Sequence, residues 1–383
     1  MRLIDLVVQN LWQRRARSLL TCLGIALAVA TTLALVGFSS GLERSTVEAY
    51  EGREIDVIIA RSGVTQRLTS SLDEHIGEIV RQIQGVRAVN PSQTDMVSFG
   101  EGSLVGVPVH GWPAAGFAMQ TLSIASGRRL QPKDHDCVML GQSLAATLNK
   151  TVGDEIEIEL HKFRVVGIYA GLNVYDNMTA VTLLPDLQAL MDRPGQVTEF
   201  QLTLDKQVAR DKYAVDNIRK QIESLHDEQG RRLGLAAMPA RQFVEGSTEA
   251  GLARGMAWGT SILALLIGSF GLLNTMLMSV LERVQEIGIL KALGWRTIGI
   301  AKMILLEALT LSLLGAIIGA AAGIVLMRVL STTSLLGGLL EPNLSPTTIA
   351  AGVAMALCIG ALGGLYPAIR AAKLSVVEAL RYE

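Results

Sequence analysis

Four long stretches that are almost free of charge constrain this chain more than any other feature of its sequence. A helix needs about 20 consecutive apolar residues to cross the hydrocarbon core of a bilayer, and each stretch is long enough. They predict membrane helices at 18–42, 255–281, 304–327 and 347–369. In the third, the charge-free residues begin at Ala308, and Glu307 lies near the edge of the span.

The composition supports a membrane protein with a sizeable soluble part. Half of the 383 residues are hydrophobic and 18% are charged, whereas soluble domains average about 25% charged residues. The mean hydropathy is +0.38. A net charge of −1 gives no basic field for nucleic acid, and the three cysteines form no disulfide or metal-binding pattern.

The first apolar stretch has a rival interpretation as a secretory signal peptide. Three arginines precede it, and the sequence AVA at 28–30 resembles a cleavage site. The apolar run continues beyond that point through TTLALVGF to full spanning length. We therefore favour an uncleaved membrane anchor.

Basic residues in the short segments predict the orientation in the membrane. The N-terminal tail (1–17), the segment 282–303 and the C-terminal tail (370–383) hold eleven of them, namely Arg2, Arg14, Arg15, Arg17, Arg283, Lys291, Arg296, Lys302, Arg370, Lys373 and Arg381. The short loop 328–346 has only Arg328. Since Lys and Arg are retained on the cytoplasmic side, these two tails and the segment 282–303 are predicted to be cytoplasmic.

The segment 43–254 is then an extracytoplasmic domain, and its patterns predict a mixed α/β fold. Strand composition occurs at 54–60, 154–170 and 199–204, and helical periodicity at 72–83 and 214–227. The two ends of the segment are polar and have few helix breakers. We expect them to extend the flanking membrane helices as stalks, with ordinary loops as the alternative.

No motif in the chain supports an enzyme. There is no Gly-Lys pair, so the chain cannot form a P-loop. The sequence GFSSG at 37–41 places Ser39 as in a nucleophile elbow, but it ends a membrane helix instead of a strand. The sequence DHDC at 134–137 could offer metal ligands, although a solvated turn before a strand is favoured. We expect no catalytic residue, no metal and no cofactor in this chain.

Small residues recur every fourth position in the last two spans. They are Gly315, Gly319 and Gly323 in span three, and Gly352, Ala356, Gly360 and Gly364 in span four. Residues four apart share a helix face, and small faces allow helices to approach closely in lipid. The stripes predict that spans three and four pack on each other or on span two.

The segment between spans two and three carries a specific motif, LERVQEIGILKALGWRTIGIAKMILLE (281–307). It resembles the C-terminal part of FtsX/MacB-type ABC transporter permeases. The matching residues are Arg283, Glu286, Ile287, Gly288, Lys291, Ala292, Leu293 and Gly294, followed in the tail by Pro367, Ala368, Ala371, Glu378, Ala379, Leu380, Arg381 and Glu383. Val377 stands where the family often has proline. The stretch 152–171 is similar to the external core domain of the same family.

The resemblance implies a multi-pass permease of the bacterial inner membrane, paired with a second copy or a paralogue. ATP and Mg would be bound by a separate cytoplasmic ATPase, and a periplasmic adaptor is a further expected partner, besides membrane lipids. ATP-driven motion would be relayed to the external domain by mechanotransmission, to export or extract a hydrophobic or amphipathic substrate. The alternative is a division-type signalling permease that regulates a cell-wall hydrolase without transport.

The segment 282–303 would then be a cytoplasmic coupling helix and turn. Val284, Ile287, Leu290 and Leu293 recur every three residues, and Gly294 is placed to end the helix. The expected ATPase-coupling residues are Glu282, Arg283, Glu286, Ile287, Gly288, Leu290, Lys291, Ala292 and Gly294. A helix that only lies on the membrane surface is the alternative.

Overall fold

The structure, a computed structural model, describes residues 15–63, 70–100, 104–227, 229–331 and 346–381. The chain divides into two compact units. Among the described residues, the helical unit contains 15–39, 254–330 and 346–381, and the α/β unit contains 40–253 and 331. The boundaries fall inside the first and second long helices. Four described helices are long and apolar enough to cross a membrane, and the α/β domain follows the first of them, so the predicted fold class is confirmed.

Within the described residues, six helices contribute to the helical unit. They are α1 Arg15–Glu51, α10 Thr248–Glu282, α11 Val284–Ala292, α12 Thr297–Ser331, α13 Pro346–Lys373 and α14 Val376–Arg381. The four long ones contain the candidate membrane spans. Their apolar core includes Ile25 of α1, Leu272 of α10, Ala308 of α12 and Ile359 of α13, each 1% exposed or less. The predicted positions Arg2, Arg14 and Glu383 and most of the loop 328–346 lie outside the described residues.

The long helices exceed the charge-free windows from which they were predicted. In span one the helix continues to Glu51 instead of ending at 42, and in span three it begins at Thr297 instead of 304. Charged side chains such as Lys302 and Glu307 mark the limit of the apolar stretch, but both residues have good helix propensity and continue the helix. The predicted segment 282–303 therefore consists of a short helix, a turn and the first turns of α12.

The α/β unit is built on a large twisted sheet. Its strands are β1 Val57–Arg61, β3 Val86–Phe99, β4 Leu104–Trp112, β5 Ser123–Gly127, β6 Cys137–Gly141, β7 Glu155–Ile158, β8 His161–Ala170, β9 Ala180–Leu183, β11 Glu199–Leu204 and β12 Leu235–Pro239, and a small second sheet pairs β2 Leu72–Asp73 with β10 Gln196–Val197. The large sheet runs β12-β1-β11-β3-β4-β9-β6-β8-β5, with β7 beside β3 and β8. Its pairs are antiparallel except β4–β9 and β6–β8.

Eight shorter helices lie in the described part of this unit. They are α2 Ile76–Arg81, α3 Phe117–Gln120, α4 Gln142–Leu148, α5 Val174–Asn177, α6 Leu184–Leu190, α7 Lys206–Ala209, α8 Lys212–Glu223 and α9 Ala240–Glu245. Ile218 and Ile222 lie four apart on α8 and pack into the same core as Phe200 of β11. Every residue of β11 is buried, which fits a strand in the middle of the sheet.

Two predicted helices differ from the observed ones at their ends. The predicted helix 72–83 begins only at Ile76, because Leu72 and Asp73 pair with β10. The predicted helix 214–227 begins earlier, at Lys212, where the Asp211 side chain accepts a hydrogen bond from the Tyr213 N–H and caps the helix.

Candidate coupling site

Helix α11 is a short helix set off from its long neighbours at both ends. Arg283 separates it from α10, with φ −117° and ψ 20°. At its other end Gly294 has φ +91°. The Gly294 N–H donates to the Lys291 carbonyl at 3.0 Å and the Trp295 N–H to the Leu290 carbonyl at 3.1 Å. This pair of bonds is a Schellman motif, which ends a helix at a left-handed glycine.

One face of α11 is buried and the opposite face is exposed. Val284 and Ile287 are 4% and 2% exposed, whereas Ile289 and Leu293 are 51% and 75% exposed. The three-residue repeat therefore does not form one face. Each step of three residues turns about 300° around the helix axis. After three such steps, at Leu293, the side chain therefore points about 180° away from that of Val284.

Gly288 belongs to the buried face and touches the C-terminal helix α14. A Cβ added at Gly288 would lie 2.6 Å from the Cβ of Ala379, a distance that real Cβ atoms do not adopt. Ala379 is itself fully buried. Glycine at position 288 therefore allows two short helices to pack in direct backbone proximity.

Lys291 lies on the side of α11 that faces the end of α13. Its Nζ donates hydrogen bonds to the carbonyl oxygens of Ala372 at 2.7 Å and Leu374 at 2.5 Å. The Ala372 carbonyl is in the last turn of α13 and the Leu374 carbonyl directly follows the end of that helix, where carbonyls have no partner within the helix. The side chain is half-buried.

Ion pairs at and just before the start of α11 connect this region to other helices. Arg283 Nη1 lies 3.3 Å from Glu307 Oε2 of α12, and the two side chains are 11% and 7% exposed. The Arg283 Nε also binds Glu286 Oε2 at 3.0 Å. Arg17 of α1 binds both carboxylate oxygens of Glu282, at 2.8 and 3.1 Å, in a pair that is more exposed.

The structure thus divides the predicted coupling residues into two groups. Ile287 and Gly288 are buried, the Arg283 side chain is 11% exposed, and Leu290 and Lys291 are half-buried, so these five hold the helix in place. The exposed members of the predicted set are Glu282, Glu286, Ala292 and Gly294. Sequence reasoning missed Gln285 and Ile289, which are exposed on α11. A phase of 3.6 residues drawn from Val284 and Ile287 as the buried positions would have placed both on the outer face.

The glycine stripe of span three faces α1, whereas the sequence predicts span four or two. A Cβ at Gly315 would lie 2.8 Å from the Ile25 Cβ, one at Gly319 would lie 2.9 Å from the Ala26 Cα, and Gly323 faces Ala30. A stripe shows which face packs closely, but nothing in its spacing identifies the partner helix. α1 presents alanines to this face, so two backbones approach each other.

The small residues of span four have two partners. A Cβ added at Gly364 would lie 2.5 Å from the Ala308 Cβ of α12, and Gly360 faces the Ser312 side chain of α12. A Cβ added at Gly352, near the other end of α13, would lie 2.9 Å from the Leu33 side chain of α1. Ala356, in the same stripe, is fully buried. The predicted contact between spans three and four is thus present, but at the stripe of span four.

The C-terminal end of α1 is anchored within the α/β unit. Arg53 binds Asp176 at 2.5 Å, and both side chains are less than one-tenth exposed. The Asn173 Nδ2 donates to the Ser45 carbonyl at 2.5 Å, and the Tyr50 hydroxyl donates to Glu199 at 3.2 Å. These bonds fix the last two turns of α1, and Arg53 just after it, to α5 and its N-cap Asn173 and to β11.

The other two candidate motifs, GFSSG at 37–41 and DHDC at 134–137, lie within or beside regular secondary structure. Ser39 lies inside α1. In the DHDC sequence, Asp134 binds Arg128 at 2.6 and 2.8 Å, and this hydrogen bond holds the pKa of Asp134 below its usual range. Cys137 begins β6, and burial raises the pKa of its thiol. No group of three or more metal-binding side chains occurs in the part of the chain that the structure describes.

Two family models match the chain. The model described as MacB-like periplasmic core domain matches residues 18–225, and the one described as FtsX-like permease C-terminal matches residues 258–376. Together they extend over most of the chain and include most of the α/β unit and all of α11.

Named relatives cover the chain over nearly its full length. An uncharacterized ABC transporter permease of Methanocaldococcus jannaschii is 27% identical over all of this chain and 98% of its own length. The macrolide export ATP-binding/permease protein MacB of Bdellovibrio bacteriovorus is 26% identical over 98% of this chain, which spans 61% of that protein. The crystal structure of the periplasmic region of MacB from Actinobacillus actinomycetemcomitans aligns with 51% of the chain and 96% of its own, with 17% identity and a TM-score of 0.39.

Proposed function

This chain belongs to the family of FtsX-like permeases with a MacB-like periplasmic core domain, and we propose that it is the permease subunit of an ABC transporter. In this proposal a separate ATPase binds ATP and Mg and docks on the exposed face of α11. The permease relays the resulting motion to the α/β domain, which exports or extracts a hydrophobic or amphipathic substrate.

The observation that carries the proposal is the way α11 is held. Its outer face presents Glu286, Ile289 and Leu293. The Arg283–Glu307 pair and the Lys291 hydrogen bonds connect its start and its inner face to α12 and α13, and the Arg17–Glu282 pair joins α1 to the end of α10 directly before it. A push on this short helix would therefore be passed to the whole helical unit and would not be absorbed by a loop.

The anchored end of α1 supplies a second part of the relay. α1 continues without a break from its membrane span to Glu51, and Arg53 and Asn173 fix that end inside the α/β unit. Motion of α1 along or about its axis would thus reach the domain through a buried ion pair and hydrogen bonds. Such bonds tolerate little displacement, because a separated buried charge is costly.

The proposed orientation follows the basic residues. With the termini and α11 in the cytoplasm, α11 faces an ATPase and the α/β domain faces the outside of a bacterial inner membrane. A second copy or a paralogous permease would complete the transporter, and a periplasmic adaptor is a further proposed partner.

The test is purification from native membranes with variants of the outer face of α11. Ile289→Glu combined with Leu293→Glu is expected to insert normally but to lose the co-purifying ATPase, because two charges replace the apolar contacts. Leu160→Glu is the control, since Leu160 is 84% exposed on a turn of the α/β unit. Retention of the ATPase at wild-type levels by the double variant would contradict the proposal.

The same purification separates transport from signalling. Mass spectrometry of the wild-type complex is expected to find a bound lipid, peptide or other amphipathic molecule. Recovery of a cell-wall hydrolase without such a molecule would favour the division-type alternative.

A further inference from the structure

The C-terminal end of the described chain folds back onto the inner face of α11. Helix α13 ends at Lys373, and after Leu374 and Ser375 the short helix α14 begins at Val376. Two independent contacts join this end to α11, one at each end of a single helical turn: Gly288 against Ala379, and Lys291 against the carbonyls of Ala372 and Leu374.

The Lys291 contact is a helix cap supplied from another helix. The last carbonyls of a helix lack partners and carry the negative end of the helix dipole, so a nearby ammonium group stabilises them. The lysine ammonium is a compact charge with three donors, and it uses two of them here. Both acceptors are backbone atoms, so this contact depends on the position of the end of α13 and not on the side chains there.

The Gly288 contact fixes α14 at close range. Because a Cβ at position 288 would come within 2.6 Å of the Ala379 Cβ, any larger residue at either position would separate the helices. Ala371, Ala372 and Ala379 are all less than one-tenth exposed. Small side chains and a cap thus hold the end of α13 and α14 on α11 together.

We propose that Lys291 is a positioning residue that locks the end of α13, and α14 with it, onto α11, so that displacement of α11 moves the fourth membrane helix directly. Since α11 already connects to α12 through Arg283 and Glu307, this lock makes α11 the common attachment of both later membrane helices. The inference rests on the proposed function for the source of the displacement, but the lock is a property of the permease alone.

The first test measures the lock without any ATPase. Val377 lies on α14 and is 69% exposed, so a spin label on Val377→Cys, in a chain whose three native cysteines are replaced by alanine, reports the mobility of α14. Lys291→Met keeps the length of the side chain and removes the donors. In lipid nanodiscs it is expected to convert an immobilised spectrum into a mobile one. Lys302→Met is the matched control, because Lys302 is exposed on α12, and it is expected to leave the spectrum unchanged.

A second variant keeps the test decisive if Lys291→Met does not insert. Ala379→Leu breaks the other contact from the side of α14 and is expected to mobilise the same label. An immobilised spectrum in whichever of these two variants inserts would overturn the proposal.

The second test adds the ATPase and separates this inference from the proposed function. Lys291→Met is expected to retain the ATPase and its ATP hydrolysis, because Lys291 is not on the exposed face, but to lose the ATP-dependent spectral change of a label on α13 at Leu365→Cys. A Lys291→Met complex in which that change is as large as in wild type would overturn the positioning role. If the wild-type permease binds no ATPase, the proposed function fails, and the mobility measurement alone decides the lock.

Discussion

Arg283 shows how one residue of a motif can have a structural task that its sequence context does not reveal. It lies between α10 and α11 and binds Glu307 on α12 where both side chains are almost completely buried. Removing one partner of such a pair leaves an uncompensated buried charge, which is costly. The pair therefore fixes the angle at which α11 leaves the membrane helices.

The first prediction compares the two carboxylates that Arg283 binds. Glu307→Ala is expected to lower the free energy of unfolding by about 3 kcal/mol, because it strands the buried Arg283 charge. Glu286→Ala removes a partner whose side chain is 63% exposed, and is expected to cost less than about 1 kcal/mol. Thermal unfolding in detergent measures both, and equal losses would contradict the assignment.

At this scale the sequence could predict the type of a residue but not its partner. Gly294 is predicted as a helix cap from its place after an apolar helix, and it has the left-handed conformation. Gly288 is predicted as part of a docking face, yet it contacts Ala379. Nothing local to α11 indicates that contact, because Ala379 comes from the far end of the chain.

The small-residue stripes act at the scale of helix pairs. Gly315, Gly319 and Gly323 bring α12 against α1, so the first and third long helices approach at backbone distance. In a membrane this close packing replaces the hydrophobic drive between helices. The pair joins α1, which continues into the α/β unit, to α12, which carries Glu307.

The second prediction tests that packing with one methyl group. Gly319→Ala is expected to destabilise the protein by about 1 to 3 kcal/mol, because the added Cβ would overlap the α1 backbone at Ala26. Gly24→Ala is the control: it makes the same change in α1, where no heavy atom lies within 4 Å of an added Cβ. Unfolding of both in detergent checks the difference, and a loss as large for Gly24→Ala would show that the packing is not responsible.

The elements themselves were largely predictable, and their limits were not. Charge-free windows identify the four long helices, because length and apolarity decide insertion. They place the start of α12 seven residues late, at 304 instead of Thr297. The limit of an apolar stretch is set by charged residues, whereas the helix continues through charged residues that have good helix propensity. Strands β8 and β11 follow from composition, whereas the order of the sheet depends on pairing between distant segments.

For the whole molecule, the proposed orientation gives the third prediction. In a cysteine-free background, Leu160→Cys in the α/β unit is expected to react with a membrane-impermeant maleimide in intact spheroplasts. Ile289→Cys on α11 is expected to react only after permeabilisation. Both side chains are at least half exposed, so access to the reagent decides the result. The reverse pattern would contradict the orientation.

The central claim is that ATP bound in the cytoplasm moves the α/β domain through α11. The most direct measurement is the distance between spin labels on Leu160→Cys in the two permease copies of the purified complex, with and without ATP under conditions that prevent hydrolysis. We expect ATP to shift the distance distribution in the otherwise native complex. If the distribution stays the same while the complex binds ATP, the relay is contradicted.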